Sequence, residues 1–410
     1  MKTEEQPEPP SPAPRGGPLR VLHLAAADIM LFPILRDQLR FLRDLGYEVH
    51  TASIAGPLAH RLRDEDGFPW TPLPLTRAVA PWADWKAARF IERFCREGRF
   101  EIVHTHTPKG NVVGQYAARR AGVPVVLQTL HGFYFHENMN WLKRRAWIAI
   151  EKFSARRSDH ILCQNPEDVE TALAQGIARP EQITCLGNGT DLQRFRPGIL
   201  TAEARAEYRR KLGIPADALV AGLCGRFVAE KGFPEFLEAG RRLLAKHPRL
   251  HLLAVGHKLE SERAGERWTP ESCGLPGERL VVLHDRDDMP ELYACMDLHV
   301  LPSHREGFPR VLIEGAALGL PQVATNIRGC RQVVEHGKTG LLVPVGDVEA
   351  LSRALDELLS DPAARKRLGR AAREKAEREF DQRKVFQTVA ECYAKLIARK
   401  LPGRELPAAR

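Results

Sequence analysis

The chain has 410 residues, 43% of them hydrophobic, and a net charge of +9, which suits two domains of ordinary size with a sizeable core in each. Its eight cysteines are scattered without a CxxC pair, so neither a disulfide framework nor a zinc site is expected, and a reducing compartment fits. The positive charge invites nucleic acid, anionic lipid or phosphorylated small molecules; nucleic acid is set aside, because no RRM, zinc-finger or homeodomain signature and no basic stripe with interleaved aromatics occurs.

In chain order, residues 1–18 are acidic, proline-rich and free of any apolar run, and read as a disordered tail. Short runs rich in Val, Leu and Ile then alternate with amphipathic helical segments. Strands are predicted at 19–24, 47–53, 101–105, 124–129, 160–163 and 182–186, then at 219–224, 251–255, 280–284, 298–301, 322–325 and 340–343. Strands apolar throughout with helices between them describe parallel sheets covered on both faces. The expected fold is therefore α/β, with two Rossmann-like domains facing across a cleft. The first is expected over 19–197 and the second over 198–380, the seam falling where Phe195-Arg196-Pro197-Gly198 interrupts the pattern. A C-terminal helix and tail over 381–410 is expected to pack back towards the first domain. No stretch approaches the roughly 18–20 apolar residues that span a bilayer, so the protein is expected inside the cell.

Two motifs mislead. Gly337-Lys338-Thr339 looks like the end of a phosphate-binding loop, but Gln332 stands where the first glycine is required and a strand follows instead of a helix. No strand runs into GxGxxG; the first leads into Ala25-Ala26-Ala27-Asp28. More informative is Pro302-Ser303-His304-Arg305-Glu306-Gly307-Phe308-Pro309, which joins a strand to a helix carrying Glu314. Glycine there lets backbone approach a ligand, Pro309 suits a first helical turn, and a helix start attracts anions or hydroxyls. Glu306 and Glu314 are good acceptors for paired sugar hydroxyls; the plainer alternative is a capped helix with two surface acids. In Gly225-Arg226-Phe227-Val228-Ala229-Glu230-Lys231-Gly232, Arg226 and Lys231 flank a strand–helix turn, a sensible cradle for a diphosphate, or else two surface charges. Thr129-Leu130-His131-Gly132-Phe133-Tyr134-Phe135-His136-Glu137 puts His131 at a strand's carboxyl end, where ligands bind in such sheets; His131 could equally be structural. His104 and His106 raise a metal site with His131, but no carboxylate or cysteine sits at ligand spacing, so neither a metal nor a cofactor is expected.

Taken in order, His131-Gly132, then Gly225-Arg226 with Glu230-Lys231-Gly232, then Glu306 and Glu314 eight residues apart, resemble the retaining, GT-B-type glycosyltransferases of family 4 (group 1 glycosyltransferases), and among them polysaccharide-assembly members. The likeness runs from residue 19 to 380 and takes in Gly187-Asn188-Gly189-Thr190-Asp191, similar to the family's NGvD turn. The resemblance implies a nucleotide-diphosphate sugar donor, a UDP-sugar favoured, and no metal. Arg226 and Lys231 would hold the donor diphosphate and neutralise it as it leaves. Glu306, with the amides of Gly307, Phe308 and Pro309, would hold hydroxyls of the transferred sugar, and Glu314 the ribose. His131 would reach that sugar from the first domain, with Arg286 and Asn188 as further substrate-binding residues. Retention would put acceptor and leaving group on one face, the leaving phosphate taking the acceptor's proton. Two departures stand out: the family's glycine pair after the first strand is replaced by Ala25-Ala26-Ala27-Asp28, and Pro-Glu after a Gly-Gly by Cys330-Arg331-Gln332.

The acceptor is read from the basic segment that opens at Trp141 and closes at Arg157, WLKRRAWIAIEKFSARR. At helical spacing Arg145, Lys152 and Arg156 share one side, while Trp147, Ile150 and Phe153 cluster on another. Such a helix suits an anionic membrane surface, and with it a peripheral location on the inner face of the membrane and a lipid-linked saccharide acceptor. A core helix with a solvated basic side, and a soluble saccharide, is the alternative. A sugar-nucleotide epimerase of the same architecture and a non-catalytic nucleotide-sugar-binding protein are the rival functions.

Overall fold

The computed structural model describes residues 17–56, 58–76, 80–135, 139–256 and 274–407. Almost all of the expected tail, and His136 and Glu137, lie outside them. The chain divides into two compact units: one runs to Gly187 and takes the chain back from Val385, the other is Asn188–Lys384.

The first unit is built on a seven-stranded sheet of β1 (Arg20–Ala25), β2 (Glu48–Ser53), β3 (Trp70–Pro72), β4 (Ile102–His106), β5 (Val125–Leu130), β6 (His160–Cys163) and β7 (Ile183–Cys185), in the order β3-β2-β1-β4-β5-β6-β7. The second holds six strands, β8 (Leu219–Cys224), β9 (Leu250–Gly256), β10 (Leu280–His284), β11 (Leu298–Leu301), β12 (Gln322–Thr325) and β13 (Gly340–Val343), in the order β10-β9-β8-β11-β12-β13. All pairings within both sheets are parallel. β1, β4 and β5 are buried along their whole length, polar residues included, as expected of central strands with helices on both faces. In each sheet the strand order reverses once, between β1 and β4 and between β8 and β11. Adjacent connections leave such a point towards opposite faces and open a crevice at the carboxyl ends of the strands.

Twelve strands lie where the sequence predicts them, within one residue at either end for most; β3 was not expected. It is a three-residue edge strand containing Pro72, too short for a periodic signal and at a sheet edge, where proline is tolerated.

The boundary between the units falls ten residues before the expected seam at 197/198. The reason is packing. Leu192 and Phe195 belong to the core beneath β8 and the helix Arg310–Ala317, Asn188 donates to the Phe308 carbonyl at 2.9 Å, and Thr190 exchanges backbone hydrogen bonds with the 380–382 segment. Gly189 is required there, since any Cβ would lie 2.7 Å from the Gln382 amide nitrogen. The chain then crosses back. Val385, Phe386, Val389, Tyr393, Leu396 and Ile397 of the helix Gln382–Lys400 enter the same core as Val21, Ile102 and Leu127, covering one face of the first sheet. Lys400 closes the end on the Pro124 carbonyl and on Asp159.

The basic helix, Trp141–Ala155, turns Ile148, Glu151, Ser154 and Ala155 inward. Ile150 and Phe153, expected on an apolar side, are 37% and 39% exposed, Trp141 63% and Leu142 59%. The helix therefore buries Ile148 with small and polar residues and packs Trp147 partly against the core, while Trp141, Leu142, Ile150 and Phe153 face solvent.

Glu151 itself is 4% exposed, and burial, with Asp168 nearby, pushes its carboxyl up from 4.5 to about 7. A raised folded pKa means that the native state holds a proton the unfolded chain has released, so stability is fully present below the unfolded value and falls as pH rises through 7. Glu151→Gln, which stays neutral, should remove that dependence. Urea denaturation at pH 5 and pH 8 is expected to show the variant gaining on wild type at pH 8; a difference that does not change with pH would refute the buried acid.

Candidate active site

The two loops expected to matter in the second unit leave adjacent strands at its switch point: Gly225 to Gly232 follows β8, and Pro302 to Pro309 follows β11. Close backbone approach makes their glycines necessary. Gly232 has φ +79°, and a Cβ there would lie 2.2 Å from the Pro302 carbonyl oxygen. A Cβ on Gly256, at the end of β9, would meet the Gly225 carbonyl oxygen at 1.8 Å. Gly329 likewise lets the helix Arg328–Val333 start against the Gly307 and Glu306 carbonyls, 2.6 and 2.7 Å from where its Cβ would be. The altered residues after Gly329 thus leave that close contact intact.

Side chains then lace the loops. Lys231 Nζ lies 2.6 Å from Glu306 Oε1, in an ion pair with side chains 17% and 8% exposed. Arg305 pairs with Glu230 at 2.7 Å and His304 with Glu235 at 2.6 Å. The Glu230 carbonyl accepts from the His304 amide at 2.8 Å and the Ser303 hydroxyl at 3.1 Å. The sequence marked Lys231 and Glu306 for two parts of one ligand; the structure puts them in contact. Nothing in the sequence signals the supporting pairs, because a charge near a glycine gives no hint of its partner some 70 residues away.

Glu314 points from the helix Arg310–Ala317, where Oε1 accepts from Arg310 Nε at 3.1 Å and Oε2 lies 3.2 Å from the Tyr293 hydroxyl. Burial pushes its carboxyl above the usual range, against the pull of Arg310. Pro309 is the N-cap of this helix and not in its first turn; having no N–H, it cannot donate to a sugar, which leaves the amides of Gly307 and Phe308. Asn188 uses its amide inside the protein, holding Phe308 and accepting from the Gly189 N–H at 2.9 Å. Arg286 follows β10, the edge strand. Its guanidinium is held by Asp288 and by the Tyr208 hydroxyl, so it is not brought to the Lys231–Glu306 pair. Gly337-Lys338-Thr339 is a turn: Gly337 has φ +75°, and the Thr339 hydroxyl accepts from the Glu335 amide at 2.8 Å.

In the first unit, the loop after β1 is tied to the protein at several points. The Ala26 amide donates to the Thr107 hydroxyl at 3.0 Å, and Asp28 accepts from the amides of Ile29 and Leu58. His131 follows β5 directly, ahead of Gly132 at φ +117°. It is half-buried and ends a row of histidines that the sheet register creates. His23 pairs with His104 across β1 and β4, and His106 lies two residues on, hence on the same face. His106 Nδ1 is 3.2 Å from His131 Nε2, and His106 Nε2 is 3.0 Å from His23 Nδ1. His23 Nε2 and His104 Nδ1 lie 3.2 and 2.8 Å from the Tyr393 hydroxyl; His104 Nε2 is 2.7 Å from the Thr129 hydroxyl and His131 Nδ1 3.1 Å from Gln164 Oε1. His23, His104 and His106 are close enough together to share a metal ion. Both nitrogens of every ring also have a hydrogen-bond partner within the protein. His23, Gln164 and Tyr393 were not singled out from the sequence: only the strand register and the returning C-terminal helix bring them here.

The sequence matches the family model Glycosyl transferases group 1 over residues 204–375 and the model Glycosyl transferase 4-like domain over 33–189. It is similar to the Escherichia coli UDP-Gal:alpha-D-GlcNAc-diphosphoundecaprenol alpha-1,3-galactosyltransferase, 28% identical over 75% of this chain and 78% of that one. The Staphylococcus aureus capsular polysaccharide biosynthesis glycosyltransferase CapM is 27% identical over 91% and 96%. The D-inositol 3-phosphate glycosyltransferase of Thermobispora bispora is 30% identical over 75% and 73%. In fold, the crystal structure of Anabaena Alr3699/HepE in complex with UDP and glucose superposes with a TM-score of 0.75 at 21% identity, covering 92% of this chain and all of that one.

Removing one partner of a pair so nearly out of water leaves the other charge uncompensated. Lys231→Met is therefore expected to cost about 3 kcal/mol of stability, and adding Glu306→Gln to recover most of it. Chemical denaturation of wild type, both single variants and the double variant closes the cycle; strictly additive losses would show that the contact carries no coupling.

Proposed function

The chain belongs to the group 1 glycosyltransferases, and on that premise we propose a retaining enzyme that moves a sugar from a UDP-sugar onto a lipid-linked saccharide. The observation that carries the donor half is the Lys231–Glu306 pair at the switch point of the second sheet. Cleaving a glycosyl–phosphate bond builds positive charge at the anomeric carbon and negative charge on the departing diphosphate, and rate is gained by stabilising that separation. In this reading Lys231 and Arg226 take the diphosphate, Glu306 with the amides of Gly307 and Phe308 takes the sugar hydroxyls, and Glu314 the ribose. His131 acts on the transferred sugar by position, and the leaving phosphate takes the acceptor proton. No metal is needed to neutralise the leaving group. Membership of a transferase family favours neither the epimerase nor the non-catalytic binder.

Support for the donor base and the acceptor comes from the Escherichia coli relative, whose name carries UDP-Gal and a diphosphoundecaprenol acceptor. Physical support for a lipid surface comes from the helix Trp141–Ala155. Its outward Trp141, Leu142, Ile150 and Phe153 are interleaved with Arg145, Lys152 and Arg156, and guanidinium groups lie over the rings of Trp141 and Phe153. Apolar side chains that enter the headgroup region beside cations that meet anionic lipid make an interfacial helix. Among the described residues no helix is long and apolar enough to cross a membrane.

Incubation with a panel of nucleotide sugars, with and without lipid-linked acceptors, should release nucleoside diphosphate from a UDP-sugar only when an acceptor is present. Lys231→Ala should reduce that turnover by orders of magnitude, since one preorganised charge on a leaving group contributes about 3–4 kcal/mol. Full activity in the variant would remove Lys231 from the chemistry.

Co-sedimentation tests the surface separately. Wild type should pellet with acidic vesicles at low salt, stay in solution with neutral ones, and be released by high salt, each basic residue contributing about 1 kcal/mol. Joint replacement of Arg145, Lys152 and Arg156 by Gln should abolish pelleting. Wild type remaining in the supernatant would point to a soluble acceptor.

A further inference from the structure

A neutral imidazole carries one N–H and one acceptor nitrogen, so a row of hydrogen-bonded neutral histidines cannot choose protons independently. His23, His104 and His106 are fully buried. Burial brings His23 down to about 3 and His131 to about 4, and holds His104 and His106 well below the usual histidine range, so all are neutral at physiological pH. With Gln164 Oε1 facing His131 Nδ1, an acceptor fixes the end of the row. His131 must then donate from Nδ1 and accept at Nε2, so His106 donates to it from Nδ1. By the same step His23 Nδ1–H donates to His106 Nε2, the Tyr393 hydroxyl donates to His23 Nε2, His104 Nδ1–H donates to the Tyr393 oxygen, and the Thr129 hydroxyl donates to His104 Nε2. Every link runs one way, and every donor and acceptor in the row is used once. The only other arrangement that satisfies all of them is the complete reversal, with the Gln164 amide turned over.

We propose that Gln164 and Tyr393 are positioning residues for His131, setting through this one-way chain a neutral Nδ1–H tautomer with both ring nitrogens engaged by the protein. The inference rests on the assignment of His131 to the transfer reaction. It adds that His131 contributes its fixed ring and neutral charge there, without giving or taking a proton. It also makes the C-terminal helix, which supplies Tyr393, part of the device that holds a residue after β5.

The test is a long-range proton–nitrogen correlation spectrum of the full chain labelled with 15N-histidine, the His131 signals being assigned by their loss in His131→Gln. Wild type at pH 7 should show His131 protonated at Nδ1 only. Gln164→Glu, which keeps an acceptor in place, should retain that pattern, whereas Gln164→Leu should lose it to a mixture containing the Nε2–H form. Tyr393→Phe, which touches His131 nowhere, should disturb the same signals through His23 and His106. His131 found as the Nε2–H tautomer or the cation in wild type, or unaltered in both Gln164→Leu and Tyr393→Phe, would overturn the proposal. Should Tyr393→Phe not fold, the wild-type tautomer and the two Gln164 variants decide. Turnover of His131→Gln reads the underlying assignment independently: a locked tautomer with undiminished turnover would keep the chain and remove His131 from the reaction.

Discussion

The loops of the second unit are organised around one ion pair, between a lysine and a carboxylate whose side chains are largely withdrawn from water. Lys231 and Glu306 come from loops after different strands, and what brings their backbones close enough is a set of glycines with no room for a Cβ. The arrangement suits a ligand that offers both signs of partner. An entering diphosphate would compete with Glu306 for Lys231, and the carboxylate so released would accept hydroxyls from whatever the diphosphate carries. Before that exchange the pair keeps two charges compatible with a half-buried site. The flanking Arg305–Glu230 and His304–Glu235 pairs hold the loops so that the exchange need not reorganise them, which is how preorganised charge becomes worth more than the same charge in water.

The place of that pair follows from topology. Parallel strands joined by helices leave a crevice only where the strand order turns back, and β8 and β11 meet there. The first sheet has the same kind of point between β1 and β4 but uses it differently. There the Ala26 amide donates to Thr107 and the Asp28 carboxylate accepts from local backbone. The residues of interest sit one strand further along, after β5.

Much of this was legible in the sequence, and what was not has a common cause. Strands covered on both faces announce themselves as short runs rich in Val, Leu and Ile between helical segments, so twelve were placed closely; β3, short, at the edge and ending in proline, has no such signal. Lys231, Glu306 and Glu314 stood out because charge beside glycine at a strand–helix junction is unusual. The contacts around them did not, since the Arg305–Glu230 and His304–Glu235 pairs and the Tyr293 hydroxyl on Glu314 look like any surface charge or core aromatic until the fold assembles them. The spacing of His104 and His106 was visible, whereas His23 depends on strand register and Tyr393 on a helix that returns after nearly 200 residues in the other unit. The seam was misplaced for the same reason: Phe195-Arg196-Pro197-Gly198 breaks the local pattern, yet Leu192 and Phe195 already pack in the second core. The helix Trp141–Ala155 shows the limit of periodicity most directly. Its apolar residues do cluster, but clustering does not say which side faces the protein, and here the inward side is Ile148, Glu151, Ser154 and Ala155.

The two units differ in their electrostatics. The second holds the Lys231–Glu306 ion pair between its loops, which on the proposed reading would meet the departing anion. The first lines its contribution with histidines that burial and mutual hydrogen bonding keep neutral. That difference is chemically coherent for a transfer that separates charge. Positive charge developing at an anomeric carbon would be opposed by an imidazolium nearby, and an imidazole free to collect a proton would become one. In the proposed one-way chain each ring's acceptor nitrogen is filled and each N–H is engaged by a neighbouring ring, the Tyr393 hydroxyl or Gln164, so protonating any single member would require the direction of the chain to change with it.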